Sequence, residues 1–270
     1  MTDADGPGAR PTQVGDLRVE REGARVRVTI ERPRRMNAVD LATMRGLSEV
    51  IAATAADSTV RVIVLTGAGT SFCTGADLAA AAAGGGAEAS PDVVMDTANG
   101  VIRAIVAAPI PVIARINGPA AGVGLSIALA ADLSYAVESG YLLLPFVNIG
   151  LMPDGGAVQT IAAAIGRART AEMALLGERL AVPAAAAAGL ITKAVPDDQL
   201  DSMVDAVADK LAAGPRRAIE YTKQAVNDAT LAGLEAALER EKTGQRELLG
   251  SADFLEGMVA MLSHRKPTFG

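Results

Sequence analysis

The residues with chemical reach in this chain are few, and most lie beside glycine. Residues 116–133, INGPAAGVGLSIALAADL, follow a β-branched run at 110–116 and lead through Gly118-Pro119 and Gly122-Val123-Gly124 into an apolar segment at 125–131. Strand, Gly-rich turn and buried helix leave free N–H groups at a helix N-terminus, where the helix dipole adds positive partial charge. Such a spot suits an anion, or an oxygen that becomes one during reaction. The same glycines equally suit a turn that only lets the helix pack close to the sheet. A second turn, GAGTSFCTGADL at 67–78, can also aim backbone N–H groups at a ligand. The acid–base candidates near these turns are Asp77, Asp132 and the Asp154 of MPDGG. Each has a structural alternative: Asp154 as a helix N-cap, Asp77 as a carboxylate bonded to nearby N–H groups, Asp132 as a cap at a helix–strand junction. Ser126 has no histidine or lysine near it in sequence to activate it. Cys73 reads as a small buried residue.

Composition removes several classes of chemistry. The chain has 270 residues and half are hydrophobic, so one core with an appended element is expected. A net charge of −6 and only 3% aromatic residues argue against nucleic acid and against an anionic membrane surface. One cysteine excludes an intrachain disulfide and points to a reducing, cytoplasmic setting. One histidine, His264, argues against a His–Cys zinc site and a Ser-His-Asp triad, so no metal is expected. No uncharged run reaches the ~18–20 residues that span a bilayer. The acidic, polar N-terminus lacks the pattern of a signal peptide.

The elements that must position these groups follow from pattern. Residues 1–15 read as a disordered lead-in, and 17–31 as a hairpin turning at Glu22-Gly23. Asn37 is placed to cap a helix running to about residue 56, with Asp40 in its first turn. A buried strand at 60–66 precedes the second turn, and the Ala/Gly tract at 79–89 reads as a mobile loop. Apolar residues at 94, 98, 101, 102, 105 and 106 mark a helix over 92–108. Strands are expected at 132–137 and 141–144, a loop at 145–156, helices at 157–165 and 169–176, a short helix at 183–189 and a short strand at 190–195. From 197 the chain is helical, with breaks at Gly214-Pro215, Gly233 and Gly250. The strand-bearing core thus occupies 16–196 and a helix-only region 197–270.

Five segments in order carry a family resemblance: ERPRRMNAVD at 31–40, VIVLTGAGTSFCTGADL at 62–78, INGPAAGVGLSIALAADL, IGLMPDGG at 149–156, and FLEGMVAMLSHRKPTF at 254–269. From residue 17 to 270 the chain resembles the enoyl-CoA hydratase/isomerase (crotonase) superfamily, most closely its phenylacetate-pathway isomerase subgroup. The resemblance implies an α/β fold, a spiral of ββα repeats, with a C-terminal helical region that builds a homotrimer or a dimer of trimers. It implies a coenzyme A thioester as substrate, with no further cofactor. The thioester oxygen would be held by the N–H groups of Thr74 and Val123. CoA contacts would fall on Met36, Ala38, Gly75, Ala76, Asp77, Leu78 and Gly122, with Arg32 or Arg35 meeting phosphate. Phe254 and Lys266 resemble residues that reach a CoA on a neighbouring subunit. Phe146 would line the acyl site.

Departures from the family pattern narrow the reaction. Where hydratases carry two glutamates, this chain has Ser126 and Phe146, neither of which ionises. Asp154 matches the acidic position of some isomerases, and one base suffices to shift a double bond. The expectation is therefore an enoyl-CoA isomerase with Asp154 as sole acid/base. The alternatives are another acyl-CoA reaction of the family (hydration, ring isomerisation, hydrolysis or dehalogenation) and a non-catalytic thioester binder.

Overall fold

A computed structural model describes residues 11–82 and 90–270. In chain order the strands are β1 (Thr12–Val14), β2 (Leu17–Glu22), β3 (Arg25–Ile30), β4 (Val62–Gly67), β5 (Val112–Ile116), β6 (Ala120–Ala121), β7 (Leu133–Val137), β8 (Tyr141–Leu143), β9 (Leu180–Ala181) and β10 (Lys193–Val195). The helices are α1 (Leu41–Ala56), α2 (Leu78–Ala82), α3 (Pro91–Ala107), α4 (Val123–Ala130), α5 (Ala157–Leu176), α6 (Val182–Ala188), α7 (Leu200–Ala212), α8 (Arg216–Thr230), α9 (Leu234–Leu248) and α10 (Ala252–Leu262).

Seven strands form the main sheet in the order β1-β2-β3-β4-β5-β7-β10, antiparallel through the N-terminal hairpin and parallel from β3 onward. A small second sheet, β6-β8-β9, is extended by single bridges from Val39 to Ala76 and from Cys73 to Ala120. Each circuit of the chain thus gives a strand to the large sheet, a pairing segment to the small one, and then helix. This is the ββα spiral, and it stacks every strand-to-helix turn on one side.

Strand β4 explains why the parallel strands read as unbroken apolar runs: both faces are covered. Ile63 and Leu65 face the main core, whereas Val62 and Val64 pack with Leu200, Val204 and Ala208 of α7. Arg25, Arg27 and Arg115 fasten the rim of that helix to the sheet through Asp205 and Asp201. A buried cation anchors α8. Lys223 Nζ donates to the carbonyls of Ile105 (3.0 Å) and Ile110 (3.2 Å) and pairs with Asp132 Oδ2 at 2.8 Å. Asp132 also accepts from Val112 N–H, so its carboxylate ties the end of α4 to the start of β5 and does not cap its own helix–strand junction.

Four other expectations change. Residues 12–14 form β1, an edge strand held by β2, and residues 1–10 lie outside the described residues. Asp40, not Asn37, caps α1, accepting from Thr43 N–H at 2.8 Å. Asn37 is instead buried in the left-handed region (φ 57°), and its amide donates to the carbonyls of Ala68 and Ser71. Three hydrogen-bond partners inside the protein outweigh one cap, since a buried amide must be satisfied. The first residues of the Ala/Gly tract are helical in α2, and 83–89 lie outside the described residues. Finally, 157–176 is one helix kinked at Gly166 (φ 74°, ψ 172°).

Lys223→Met should lower stability by about 3–5 kcal/mol, because it strands a buried carboxylate. Urea unfolding measures this; a midpoint equal to that of the parent protein would remove Lys223 from the role of anchor.

Candidate active site

Two turns meet to make the first half of the site. The turn after β4 and the turn after β5 are stitched by Ala121 N–H to Cys73 O (2.9 Å) and Phe72 N–H to Pro119 O (3.1 Å). The fit is close: a Cβ on residue 124 would lie 2.3 Å from Cys73 O. Gly122 has φ 55° and ψ −137°, a conformation only glycine adopts freely, and it turns the chain into α4. Val123 is therefore the first residue of α4, and its N–H has no carbonyl inside the helix to bond. Thr74 lies in the facing turn, its hydroxyl donating to Met36 O at 3.2 Å. Among the described residues neither Thr74 N–H nor Val123 N–H has a hydrogen-bond acceptor, and both residues line one cavity. A pair of free donors beside one cavity, one of them at a helix N-terminus, can hold an oxygen on which negative charge develops.

That cavity encloses about 690 Å³. Arg35, Ala38, Gly75, Ala76, Asp77, Leu78 and Gly122 line it beside the donors. Met44 of α1, Val94 and Met95 of α3, Phe146, Leu151, Leu249, and Phe254 and Met258 of α10 form apolar walls. Phe254 thus lines the cavity of its own chain. Met36 and Lys266 are exposed and do not reach the cavity wall in the single chain. Asp77 is buried and committed: Oδ2 takes Arg32 at 2.9 Å and Oδ1 accepts from Ala80 N–H. Arg32 is likewise spent on Asp16, Asp40 and Asp77, which leaves Arg35 as the basic side chain at the mouth. Cys73 is inert, its thiol pushed up to about 12 by burial.

Asp154 lies at the apolar end of the cavity. Its backbone carbonyl accepts from Ser126 Oγ at 2.8 Å, and Gly155 packs so closely that a Cβ there would meet Ser126 Cβ at 2.8 Å. Ser126 thus holds the MPDGG loop against α4. The carboxylate does not cap α5; Gly156 occupies the cap position and is served from another helix. Oδ2 of Asp154 accepts from Gln245 Nε2 at 3.0 Å, whereas Oδ1 is buried without a partner. Burial pushes this carboxyl up to about 6, against the pull of the Gln245 donor.

Two residues of α9 escaped the sequence reading. Gln245 also donates to Met152 O at 2.9 Å. Glu241, only 3% exposed, accepts Gly156 N–H at 2.7 Å through Oε2 and so caps α5 from outside. Burial, aided by the Asp154 charge, pushes its carboxyl up to about 7. The signal was present: 234, 238, 241, 245 and 248 follow one helical stripe, with Glu and Gln in slots that pattern assigns to apolar residues. On its outward side α9 pairs with α3, through Arg246 to Asp92, Lys242 to Asp96 and Glu235 to Arg103. Among the described residues there is no cluster of metal-ligating side chains and no helix long and apolar enough to cross a membrane.

The chain is similar to known proteins over nearly its whole length. The enoyl-CoA hydratase/isomerase family model matches residues 20–270. A probable enoyl-CoA hydratase of Rhodobacter capsulatus is 39% identical, covering 90% of this chain and 93% of its own. The 1,2-epoxyphenylacetyl-CoA isomerase of Escherichia coli is 35% identical with the same coverage. The crystal structure of an enoyl-CoA hydratase from Mycobacterium avium subsp. paratuberculosis superposes with a TM-score of 0.89 at 42% identity, covering 96% of this chain and all of that one.

Asp154→Asn should stabilise the protein at pH 8 by up to about 3 kcal/mol, at 1.36 kcal/mol per unit. A carboxyl whose pKa is raised by folding binds its proton more tightly when folded. It costs nothing at pH values below its unfolded pKa near 4, and progressively more as pH rises through about 6. Melting temperatures measured from pH 4 to 8 test the sign; a gain that failed to grow with pH would contradict it.

Proposed function

Because the chain belongs to the enoyl-CoA hydratase/isomerase family, we propose that it is an acyl-CoA enzyme that moves a double bond along an enoyl-CoA by one-base proton transfer. The observation that carries this reading is Asp154, whose Oδ1 has no partner although the residue faces an apolar cavity. The other carboxylates on the wall, Asp40 and Asp77, are held by Arg32 and by backbone N–H groups.

The chemistry follows from the geometry. The thioester oxygen rests between Thr74 N–H and Val123 N–H. Ionised Asp154 takes a proton from the carbon next to the thioester, and the electron pair moves into the carbonyl. The resulting dienolate carries its charge beside the two donors, in a cavity lined mainly by apolar side chains, where such donors count for more than in water. The Asp154 carboxyl then returns the proton two carbons along. A pKa near 6 suits both halves of this exchange, since the group must be a competent base and a competent acid at neutral pH. The proton balance closes without metal or redox cofactor.

The relatives named as hydratases favour water addition as a second reading. Ser126 weighs against it, being spent on Asp154 O, as does the apolar Phe146. The Escherichia coli relative suggests a ring-bearing acyl group as a variant of the first reading. Exposed Tyr221 and Val226 on α8 and Leu255, Val259 and Leu262 on α10 support assembly as a homotrimer or dimer of trimers through the C-terminal region. In such an assembly Lys266 would extend toward a neighbour's CoA.

Incubating the protein with 3-enoyl-CoA and, separately, 2-enoyl-CoA in heavy water tests the reading. Double-bond migration with deuterium uptake is expected, falling at least about 10³-fold in Asp154→Asn, within the range for loss of a general acid/base. Hydration without migration, or full migration by Asp154→Asn, would overturn it.

A further inference from the structure

Five buried side-chain atoms among the described residues lack a hydrogen-bond partner, and three belong to one group: Asp154 Oδ1, Glu241 Oε1 and Gln245 Oε1. All three are oxygens that can only accept while the carboxyls are ionised and the amide keeps its orientation. The amide has no freedom to turn. Both N–H bonds of Gln245 Nε2 are spent, on Met152 O and Asp154 Oδ2, and a flip would set oxygen against oxygen. A buried group made solely of acceptors lacks protons, and a proton on a carboxyl oxygen is the simplest donor it can gain.

The surroundings offer no cation in contact with either carboxyl. From α5 the pair meets backbone N–H groups, at Gly156 and alongside at Val158. From α3 the charged groups nearby are Asp92, Asp96 and Arg103, each already paired on the outer side of α9. On α9 itself, Arg240 acts on Glu241 only as a weak charge behind burial and the Asp154 charge. Asp154 faces the cavity, whereas Glu241 is buried away from its wall.

We propose that Glu241 is a positioning residue for Asp154, and that the two carboxyls hold one proton between them, which rests on Glu241 while Asp154 is ionised. Two functions follow. The neutral Glu241 spares Asp154 a buried like charge and leaves it free to act as the base. Its Oε2, bonded to Gly156 N–H, fixes the loop that carries Asp154. The inference rests on Asp154 as the acid–base group, and it makes the working unit a coupled pair rather than a lone carboxylate.

Infrared titration of the protonated carboxyl band, read on the intact protein without substrate, tests the pair. Near pH 6.5 the parent protein should show a band that is lost in Glu241→Gln. In Asp154→Asn the Glu241 step should move to lower pH, because its like-charged neighbour is gone. In turnover, Glu241→Gln should keep kcat within about threefold, since a glutamine oxygen still accepts Gly156 N–H. Glu241→Leu should lose tenfold or more in kcat with KM little changed. A band that survives Glu241→Gln, or a Glu241 step that Asp154→Asn does not move, overturns the proposal. If the steps are coupled but Asp154→Asn still turns over, the pair stands and the acid–base assignment of Asp154 falls. If Asp154→Asn is inactive and the steps are independent, the assignment stands and the shared proton falls.

Discussion

The carbonyl oxygen of Cys73 lies where a Cβ on residue 124 would come within 2.3 Å of it. The turn after β5 can therefore close on the turn after β4 only because residue 124 is glycine. That closure orders what surrounds it. It brings Val123 N–H, at the head of α4, into the same cavity as Thr74 N–H. It buries α4 almost completely, so its side chains become the floor on which later loops rest. Ser126 is one of these, and through it the loop of Asp154 takes its position from the same helix that begins with Val123. On the proposed reading, Asp154 and the two donors are thus referenced to one helix, which is what near-attack geometry demands.

Stability is given up at this place. An ionised carboxylate with an unpartnered oxygen and a second buried carboxyl beside it opposes folding at neutral pH. The rest of the fold offsets it with a sheet covered on both faces and with anchors such as the Lys223–Asp132 pair. Met36 and Asn37, adjacent residues with positive φ, add local strain in the loop that leads into α1. Asn37 tolerates it through its three internal hydrogen bonds, while Met36 lends its carbonyl to Thr74.

Legibility in the sequence followed the range of the interactions. The β-branched runs of β4 and β5 and the glycines of GVG and MPDGG reveal strands and turns because the cause of each is local. Those glycines alone equally suit close packing, and it is the family resemblance that singles out the two N–H donors and Asp154. Asn37 misled because capping is a local preference and its partners, Ala68 and Ser71, lie more than thirty residues away. Arg32 misled in the same way, since its carboxylate partners come together only in the folded chain. Glu241 and Gln245 reach Gly156 and Asp154 across 85 and 91 residues. Only their intrusion into an apolar stripe betrayed them. Strand β1, three exposed residues without alternation, had no pattern to read.

Helix α9 touches two parts of the site at once. One side holds Asp154 through Gln245, and the other is tied by four ion pairs to α3, whose Val94 and Met95 line the cavity. The width of the cavity and the placing of Asp154 therefore share a single strut. A substitution that moved α3 outward to widen the cavity would carry Asp154 with it. On the proposed reading, selectivity and turnover are linked through α9, and a change in one has to be matched along that helix for the other to survive.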